Sequence, residues 1–358
     1  MRIGKNLHPT PHTPHPTPCP YEKLFQQTLP MENLDLKKSS PLLFISPFFL
    51  WGTAMVAMKG VIPHTTPLFM AGIRLVPAGM LVLIVAWFLG RPQPKTLQAW
   101  LWITLFALMD ATLFQGFLAL GLNRTGAGLG SVIIDSQPLA VALMSSWLFK
   151  EVIGVWGWLG LGLGIGGISL IGLPDQWFYD FFGQKAVNID FSWQELLNSG
   201  EMLMLLASLS MAVGTVLIRF VCRHADPVSA TGWHMILGGL PLFLASGFRE
   251  SHQWQNIDLN GWLALSYATI FGSAIAYGIF FYLAAKGNLT SLSSLTFLTP
   301  VFALTFGNLF LGEMLSVLQW VGVSLTLVSI YLINQRERIA PQVRAIFANL
   351  SSLIPKSN

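Results

Sequence analysis

Residues 153–173 read IGVWGWLGLGLGIGGISLIGL, a run without a single charged side chain. A helix of this length crosses the ~30 Å hydrocarbon core of a bilayer. Gly157, Gly160, Gly164 and Gly167 recur at intervals of three and four, so they line one helix face that a neighbouring helix can approach closely. The stretch therefore predicts a transmembrane helix that packs tightly against another helix.

Similar apolar runs alternate with short polar connections from Pro41 to Asn334. The chain is 53% hydrophobic and 10% charged, whereas a soluble domain has about 25% charged residues. A soluble protein with buried helices would need charged helix faces, which these runs lack. We predict ten membrane-spanning helices, at 41–62, 67–89, 98–121, 126–149, 153–173, 198–221, 227–248, 261–285, 290–312 and 315–334.

The chain also repeats itself. When the sequence is shifted against itself by 162 residues without a gap, residues that seldom match by chance coincide in order. The matched pairs are Gly52/Gly214, Thr53/Thr215, Trp100/Trp262, Gly116/Gly278, Ser131/Ser293, Pro138/Pro300, Glu151/Glu313, Trp158/Trp320 and Gly160/Gly322. Each copy holds five helices, and an odd number makes the second copy enter the membrane from the opposite side. We therefore predict an all-α membrane protein of ten transmembrane helices in two inverted five-helix repeats, an architecture of secondary transporters.

These boundaries divide the chain into five parts: a disordered, proline-rich N-terminal tail (1–40), the first repeat (41–173), an acidic extracytoplasmic linker (174–197), the second repeat (198–334) and a C-terminal tail (335–358). Lys and Arg favour the cytoplasmic side of a membrane. With both termini in the cytoplasm, most cations fall inside and only Arg124, Lys185 and Arg249 fall outside. We predict a multi-pass protein of the cell (inner) membrane with both termini cytoplasmic. Translation from Met31 is an alternative for the tail.

Several short motifs lie in order along the first copy: Trp51-Gly-Thr, Lys59, Pro67 with Arg74, Gly126-Ala-Gly-Leu-Gly-Ser131, Ser136-Gln-Pro138 and Glu151. The second copy repeats the pattern through Pro300 and Leu311-Gly-Glu313. In these motifs the sequence resembles the EamA family of the drug/metabolite transporter superfamily, over nearly the whole of 41–334. The resemblance implies a ten-helix exporter or exchanger of metabolites, amino acids or drug-like molecules. Lys150, where the family usually has a small residue, and the long linker depart from the pattern.

Four ionisable side chains lie deep inside the predicted spans, where each charge costs about 2.5–3.5 kcal/mol and calls for a reason. They are Arg74, Asp110, Asp135 and His234. At the repeat offset their counterparts are Ile236, Gly272, Phe297 and Gly72. Charges that serve a shared scaffold are expected in both copies, so charges present in one copy indicate a substrate or coupling-ion site.

For Asp110 and Asp135 we predict a proton or cation relay, or a contact to a cationic substrate group, since a carboxylate inside a helix bundle can take up and release a proton. The alternative is a structural ion pair with Arg74. For Arg74, a structural clamp is at least as well supported as binding of a carboxylate. His234 is a candidate because histidine changes charge near neutral pH, but a single histidine on an apolar face is more often structural.

Three further side chains complete the candidate site. Trp233 precedes His234 and could form a stacking and hydrogen-bonding site with it. Ser131 lies four residues before Asp135 and shares its helix face. Tyr277 adds a polar tip to an apolar wall in the second copy. The alternative for such aromatic residues is ordinary packing near a membrane boundary.

Two matched pairs have structural interpretations. Pro138 and Pro300 each remove a backbone hydrogen bond, so we expect kinks in the fourth and ninth helices. Matched kinks suit either a hinge or simple fitting of shape. Glu151 and Glu313 lie at span ends, where anchoring of the helix end is the preferred interpretation.

The motifs of other functional classes are absent from the sequence. It contains no Gly-x-Ser-x-Gly, His-Glu-x-x-His or Walker motif, which argues against a membrane-embedded enzyme and against ATP-driven transport by this chain alone. A passive channel remains an alternative, although no ring of like charges is found. We predict a transporter that works by alternating access, coupled to protons or to exchange. Its partners would be the lipid bilayer, a small-molecule substrate and protons, with no nucleic acid, cofactor or metal.

Overall fold

The computed structural model of the chain describes residues 41–122, 124, 133–172, 199–311 and 316–353. These residues form helices and short connections, and no strand occurs among them. The helices are α1 (Pro41–Lys59), α2 (Pro67–Phe88), α3 (Leu97–Phe106, Ala107–Leu113 and Phe114–Leu122), α4 (Gln137–Phe149), α5 (Gly154–Gly172), α6 (Gly200–Val221), α7 (Pro227–Arg249), α8 (Leu259–Tyr267, Ala268–Ile275 and Ala276–Lys286), α9 (Leu289–Ser294, Leu295–Phe297 and Leu298–Leu311) and α10 (Val317–Leu353).

Nine of these helices are long and apolar enough to cross a membrane, counted over the described residues. The prediction of an all-helical membrane protein is therefore confirmed. The remaining helix, α4, belongs to an apolar stretch that runs from Ile133 to Phe149, inside the predicted span 126–149. The first residues of that span lie outside the described part of the chain. Helix α10 continues past the predicted span end at Asn334 and stays helical to Leu353.

Local sequence signals explain where several helices begin. The carboxylate of Asp226 accepts hydrogen bonds from the backbone N–H groups of Val228 and Ser229, which have no partner inside the first turn of α7. Pro67 and Pro227 occupy the first positions of α2 and α7, where a missing N–H is harmless. These signals determine where the helices begin, but they do not determine which helices pack against each other.

The most extensive helix contacts join the two halves of the sequence: α5 with α10, α2 with α7, α3 with α6, and α1 with both α8 and α9. Small residues make the close approaches. A Cβ atom added at Gly160 would lie 3.1 Å from the Ser329 carbonyl oxygen, and one added at Gly167 would lie 2.8 Å from that of Gly322. The predicted glycine face of α5 is therefore confirmed as the surface that contacts α10. The two halves of the sequence interleave, because their helices pack mainly against helices of the other half.

Helices α3 and α8 each contain a π-helical segment in mid-helix. The first π segment is Ala107–Leu113 and the second π segment is Ala268–Ile275. Shifted by the repeat offset of 162 residues, the first falls on 269–275, so the two occupy the same place in the two copies. Such segments rotate the side chains that follow and occur frequently at functional sites.

Helices α4 and α9 are interrupted just before their prolines. A turn precedes Pro138, and the 3₁₀ segment Leu295–Phe297 precedes Pro300. Because Pro138 has no N–H to donate, the carbonyl of Ile134 accepts a hydrogen bond from the Ser208 hydroxyl of α6 instead, at 3.4 Å. Both prolines thus lie near the start of a regular helical segment, at equivalent places in the two copies.

Candidate functional site

Asp110 and His234 form a buried side-chain pair in the interior of the helix bundle. The Nε2 atom of His234, on α7, lies 3.3 Å from Oδ2 of Asp110, on the first π segment, and both side chains are 1% exposed. The imidazole stacks on Phe106 at 4.1 Å and meets the edge of Phe281 at 5.3 Å between ring centroids. An apolar enclosure of this kind strengthens the interaction between two polar groups.

The surroundings of His234 fix how many protons the pair holds. Nδ1 lies 2.6 Å from the carbonyl oxygen of Thr231. A carbonyl can only accept a hydrogen bond, so Nδ1 carries a proton. Nε2 faces Asp110, and a hydrogen bond there needs one more proton, on either Nε2 or Oδ2. The pair therefore holds one shared proton, and its loss would leave an acceptor facing a carboxylate.

The backbone around Asp110 positions this carboxylate by close packing. On α6, a Cβ atom added at Gly214 would lie 2.5 Å from both Cβ and Oδ1 of Asp110. On α7, the carbonyl of Gly238 accepts a hydrogen bond from the Thr112 hydroxyl at 3.0 Å, and a side chain on Gly238 would collide with Ala111. Two glycines thus press helices of the second half against the first π segment.

Arg74 takes part in the matching contact of the other copy. Its Nη2 atom lies 3.4 Å from the hydroxyl of Ser273, on the second π segment. The first π segment of α3 thus faces α7 through Asp110 and His234, and the second π segment of α8 faces α2 through Ser273 and Arg74. The Asp110–Arg74 ion pair considered above does not form, since the partner of Asp110 is His234.

Tyr277 lies four residues after Ser273 on α8. Its hydroxyl accepts a hydrogen bond from Nε2 of Gln115, on α3, at 2.9 Å. Its ring lies 5.3 Å from that of Trp51, on α1. We call Trp51, Arg74, Gln115, Ser273 and Tyr277 the donor cluster. Gln115 and Tyr277 are 162 residues apart, the offset of the repeat.

Sequence reasoning did not place Gln115, Ser273 or Trp51 in the candidate site, and Trp51 was noted only as part of a family motif. A signal for Gln115 exists, because the offset that places Tyr277 in the second copy places a second polar residue, Gln115, at the equivalent mid-span position. For Ser273 no sequence signal is available. Serine is common in membrane helices, and only the contact with Arg74 distinguishes this one.

Among the described residues, Trp233 and Asp135 make no hydrogen bond or ring contact with this centre. Trp233 donates from Nε1 to Oε1 of Gln93 at 2.9 Å and contacts Trp100, so it faces the α2–α3 connection. Asp135 is half-buried two residues before the start of α4, without a hydrogen-bonding partner among the described residues. Ser131 lies outside the described residues.

Glu151 joins the ends of three helices. Its carboxylate accepts the backbone N–H groups of Leu289 and Thr290, at the start of α9, at 3.2 and 3.3 Å. It also pairs with Arg219, at the end of α6, at 3.2 Å, and Arg219 donates to the carbonyl of Gly287. Glu151 is thus a helix-end anchor in the structure. Its repeat counterpart Glu313 lies outside the described residues.

A second ion pair lies at the same end of the bundle. Arg91 and Asp226 are 3.3 Å apart. Burial raises the pKa of Asp226, while the Arg91 guanidinium and the N–H groups of Ser229 and Val228 act in the opposite direction. Within the described residues, no three side chains of the metal-binding types lie together. The candidate site is the centre of the bundle, where the buried Asp110–His234 and Arg74–Ser273 contacts lie.

Known proteins similar to this chain are consistent with that geometry. The chain matches the EamA-like transporter family over residues 38–173 and 198–335. "Uncharacterized transporter sll0355" of Synechocystis sp. (strain ATCC 27184 / PCC 6803 / Kazusa) is 70% identical over 309 residues, 86% of this chain and 94% of that protein. "WAT1-related protein At3g02690, chloroplastic" of Arabidopsis thaliana is 54% identical over 294 residues, 81% of this chain and 68% of that protein. One solved crystal structure has a TM-score of 0.68 over 84% of this chain and 97% of its own at 16% identity, which is a likeness of fold alone.

Proposed function

Because the chain belongs to the EamA-like transporter family, we propose that it is a secondary active transporter that moves a small organic molecule across the membrane by alternating access. It acts as an exporter or exchanger. Its substrate site is the centre of the bundle, between the two halves of the sequence. The Asp110–His234 pair is the observation that carries the proposal, because a buried acid and base linking two halves can couple a proton to their motion.

The proposed architecture is ten spans in two inverted five-helix halves related by an axis in the membrane plane, with both termini in the cytoplasm. The helix contacts support it, because α3 packs on α6 and the equivalent helix of the other half, α8, packs on α1. The two π segments also occupy equivalent places in the two halves. The Gln115–Tyr277 contact is further support. Two equivalent positions touch each other only where both lie close to the axis that relates them. In inverted-repeat transporters the substrate site lies at this interface.

Proton coupling follows from the chemistry of the pair. One proton is shared between Asp110 and His234 while α3 and α7 are packed together. If the halves move apart during the transport cycle, the hydrogen bond lengthens and water can reach both groups, so the proton can leave. Asp135, half-buried and without a described partner, is the second carboxylate that we assign to the proton path.

The test is transport by the purified protein in liposomes. A screen of amino acids, nucleobases, sugar phosphates and cationic drugs first identifies a substrate, whose uptake is then measured with and without a pH gradient. We expect saturable flux, accelerated by substrate on the opposite side and driven by the gradient. Linear flux without acceleration would indicate a channel.

The variants D110N, D135N and H234Q assign the proton path. We expect each to remove most of the gradient-driven flux, since neither amide can exchange a proton. D258N and H64Q are matched controls: Asp258 caps the start of α8, a role that asparagine fills equally well, and His64 is exposed. If flux is undiminished and equally pH-dependent in D110N and D135N, the carboxylate assignment is wrong.

A further inference from the structure

The donor cluster contains more hydrogen-bond donors than acceptors. Nε of Arg74 and Nε1 of Trp51 are both buried without a hydrogen-bonding partner among the described residues. Both atoms can only donate. Buried donors without acceptors are rare in proteins, and each is expected to have a reason.

Arg74 is the most unusual member of the cluster. Its guanidinium carries five N–H groups, and the described residues offer it one hydrogen bond, to the Ser273 hydroxyl at 3.4 Å. No carboxylate of the described residues pairs with it, because Asp110 is engaged by His234. A permanent cation inside a membrane protein needs an anion or water beside it.

Tyr277 contributes a third donor. Because Gln115 donates to its oxygen, the hydroxyl hydrogen of Tyr277 is not used in that bond and can be donated elsewhere. Ser273 and Tyr277 are four residues apart on α8, so Arg74 and the Tyr277 hydroxyl lie along one helix face. The indole of Trp51 packs against the same tyrosine ring at 5.3 Å.

An apolar wall adjoins these donors. The rings of Trp51 and Phe280 lie 5.1 Å apart, and that of Phe48 lies 5.6 Å from Trp51. Oδ1 of Asp110, a buried oxygen without a hydrogen-bonding partner among the described residues, lies against Gly214 of α6. The cluster itself presents a cation and donor-only nitrogens, which attract a substrate carboxylate and disfavour a substrate ammonium group.

We propose that the donor cluster binds the anionic group of an organic acid with an apolar body, with Arg74 paired to the substrate carboxylate and Trp51 and Tyr277 donating to it. This inference rests on the proposed function and names its substrate class. The Arg74–carboxylate pair supplies most of the discrimination, because charge-assisted bonds to a planar guanidinium are the strong ones. Neutral and cationic analogues leave the guanidinium without its counter-ion.

The test measures binding rather than transport. The purified protein in detergent is heated with matched triplets of an acid, its amide and its amine: benzoate, benzamide and benzylamine, and then 3-phenylpropanoate, 3-phenylpropanamide and 3-phenylpropylamine. A ligand that binds the folded state raises the melting temperature. We expect the acids to raise it and the amides and amines to have little effect. If no acid raises it, or if an amide or amine raises it equally, the proposal is overturned.

Two variants locate the site. In R74Q we expect the affinity for the acids to fall about ten- to a hundredfold, as for loss of a charged hydrogen bond, and in R74K to fall less. R249Q removes an exposed cation at the end of α7 and should leave the affinity unchanged. Equal affinity in R74Q and the unaltered protein would contradict the proposal. Acid binding without transport would instead leave this inference standing and contradict the proposed function.

Discussion

Gly214 determines how closely α6 approaches the carboxylate of Asp110. A methyl group at this position would lie 2.5 Å from Asp110 Oδ1, well inside van der Waals contact. Either the helix or the carboxylate must then move, and movement of the carboxylate changes its 3.3 Å contact with His234. Gly214 therefore helps to position the Asp110 carboxylate against His234, although it has no side chain of its own.

We expect G214A to lower the stability of the protein by about 1–3 kcal/mol, the usual effect of overpacking, and to reduce pH-driven flux. Thermal unfolding and liposome transport measure the two effects. Gly166 provides the control, because nothing lies within 4 Å of a Cβ atom placed there. G166A should unfold at or slightly above the temperature of the unaltered protein. Equal melting temperatures and equal flux for G214A would show that the contact is looser than the structure has it.

The sequence located the ionisable side chains inside the helix bundle but not their contacts. Asp110 and His234 could be recognised because each lacks an ionisable counterpart in the other copy. Their contact could not be, since the repeat offset pairs His234 with Gly72 and nothing in the sequence shows that α7 packs on the first π segment. Trp233 was associated with His234 by adjacency alone, and neighbours in a helix point in different directions.

At the scale of helices, the prolines of α4 and α9 leave carbonyl groups without their usual partner. The Ile134 carbonyl depends on a hydroxyl from another helix, Ser208 of α6. A bond of this kind can break and reform when α4 moves against α6. The break therefore provides a place where α4 can bend without losing a helical hydrogen bond.

We expect P138A and P300A to slow substrate turnover several-fold while leaving the melting temperature equal or higher, because alanine allows the helix to continue and stiffens it. Transport rates in liposomes and thermal unfolding test this. P241A is the control: Pro241 lies inside α7, is exposed, and has a glycine at the equivalent position of the first copy. If P138A and P300A turn over as fast as P241A, the interruptions serve shape rather than movement.

The π segments are the element that sequence reasoning did not anticipate. The hydrophobic run 98–121 indicates a membrane span. A π segment in the middle of that run leaves its amino-acid composition unchanged, so composition cannot reveal it. In the structure Gly238 of α7 packs closely on the first π segment, a tertiary contact that composition does not reveal. If one π segment had been known, the repeat would have predicted the other at the equivalent position.

At the scale of the whole molecule, alternating apolar and polar stretches were sufficient for the fold class. Nine helices of the described residues coincide with predicted spans to within a few residues. The pairing of halves was beyond the sequence, because apolar helix faces in a membrane have no preferred partner by hydrophobicity alone. Glycine spacing identified one contact, α5 with α10, since close approach requires small residues.

The proposed orientation predicts which connections face the cytoplasm. In a background with Cys19 and Cys222 replaced by serine, K95C lies in the α2–α3 connection and S251C in the α7–α8 connection, both at exposed positions. A membrane-impermeant thiol reagent added to whole cells should label S251C alone, and both after permeabilisation. Labelling of K95C alone in whole cells would reverse the orientation.

The interleaving of the two halves also has a consequence for synthesis. Helices α1 to α5 leave the ribosome first, and their most extensive contacts are with helices that do not yet exist. Asp110 enters the membrane 124 residues before its partner His234, and Arg74 enters 199 residues before Ser273. Until α7 and α8 follow, both side chains must remain hydrated or held by insertion machinery. A chain that terminates after the first half therefore lacks the partners that Asp110 and Arg74 have in the folded protein.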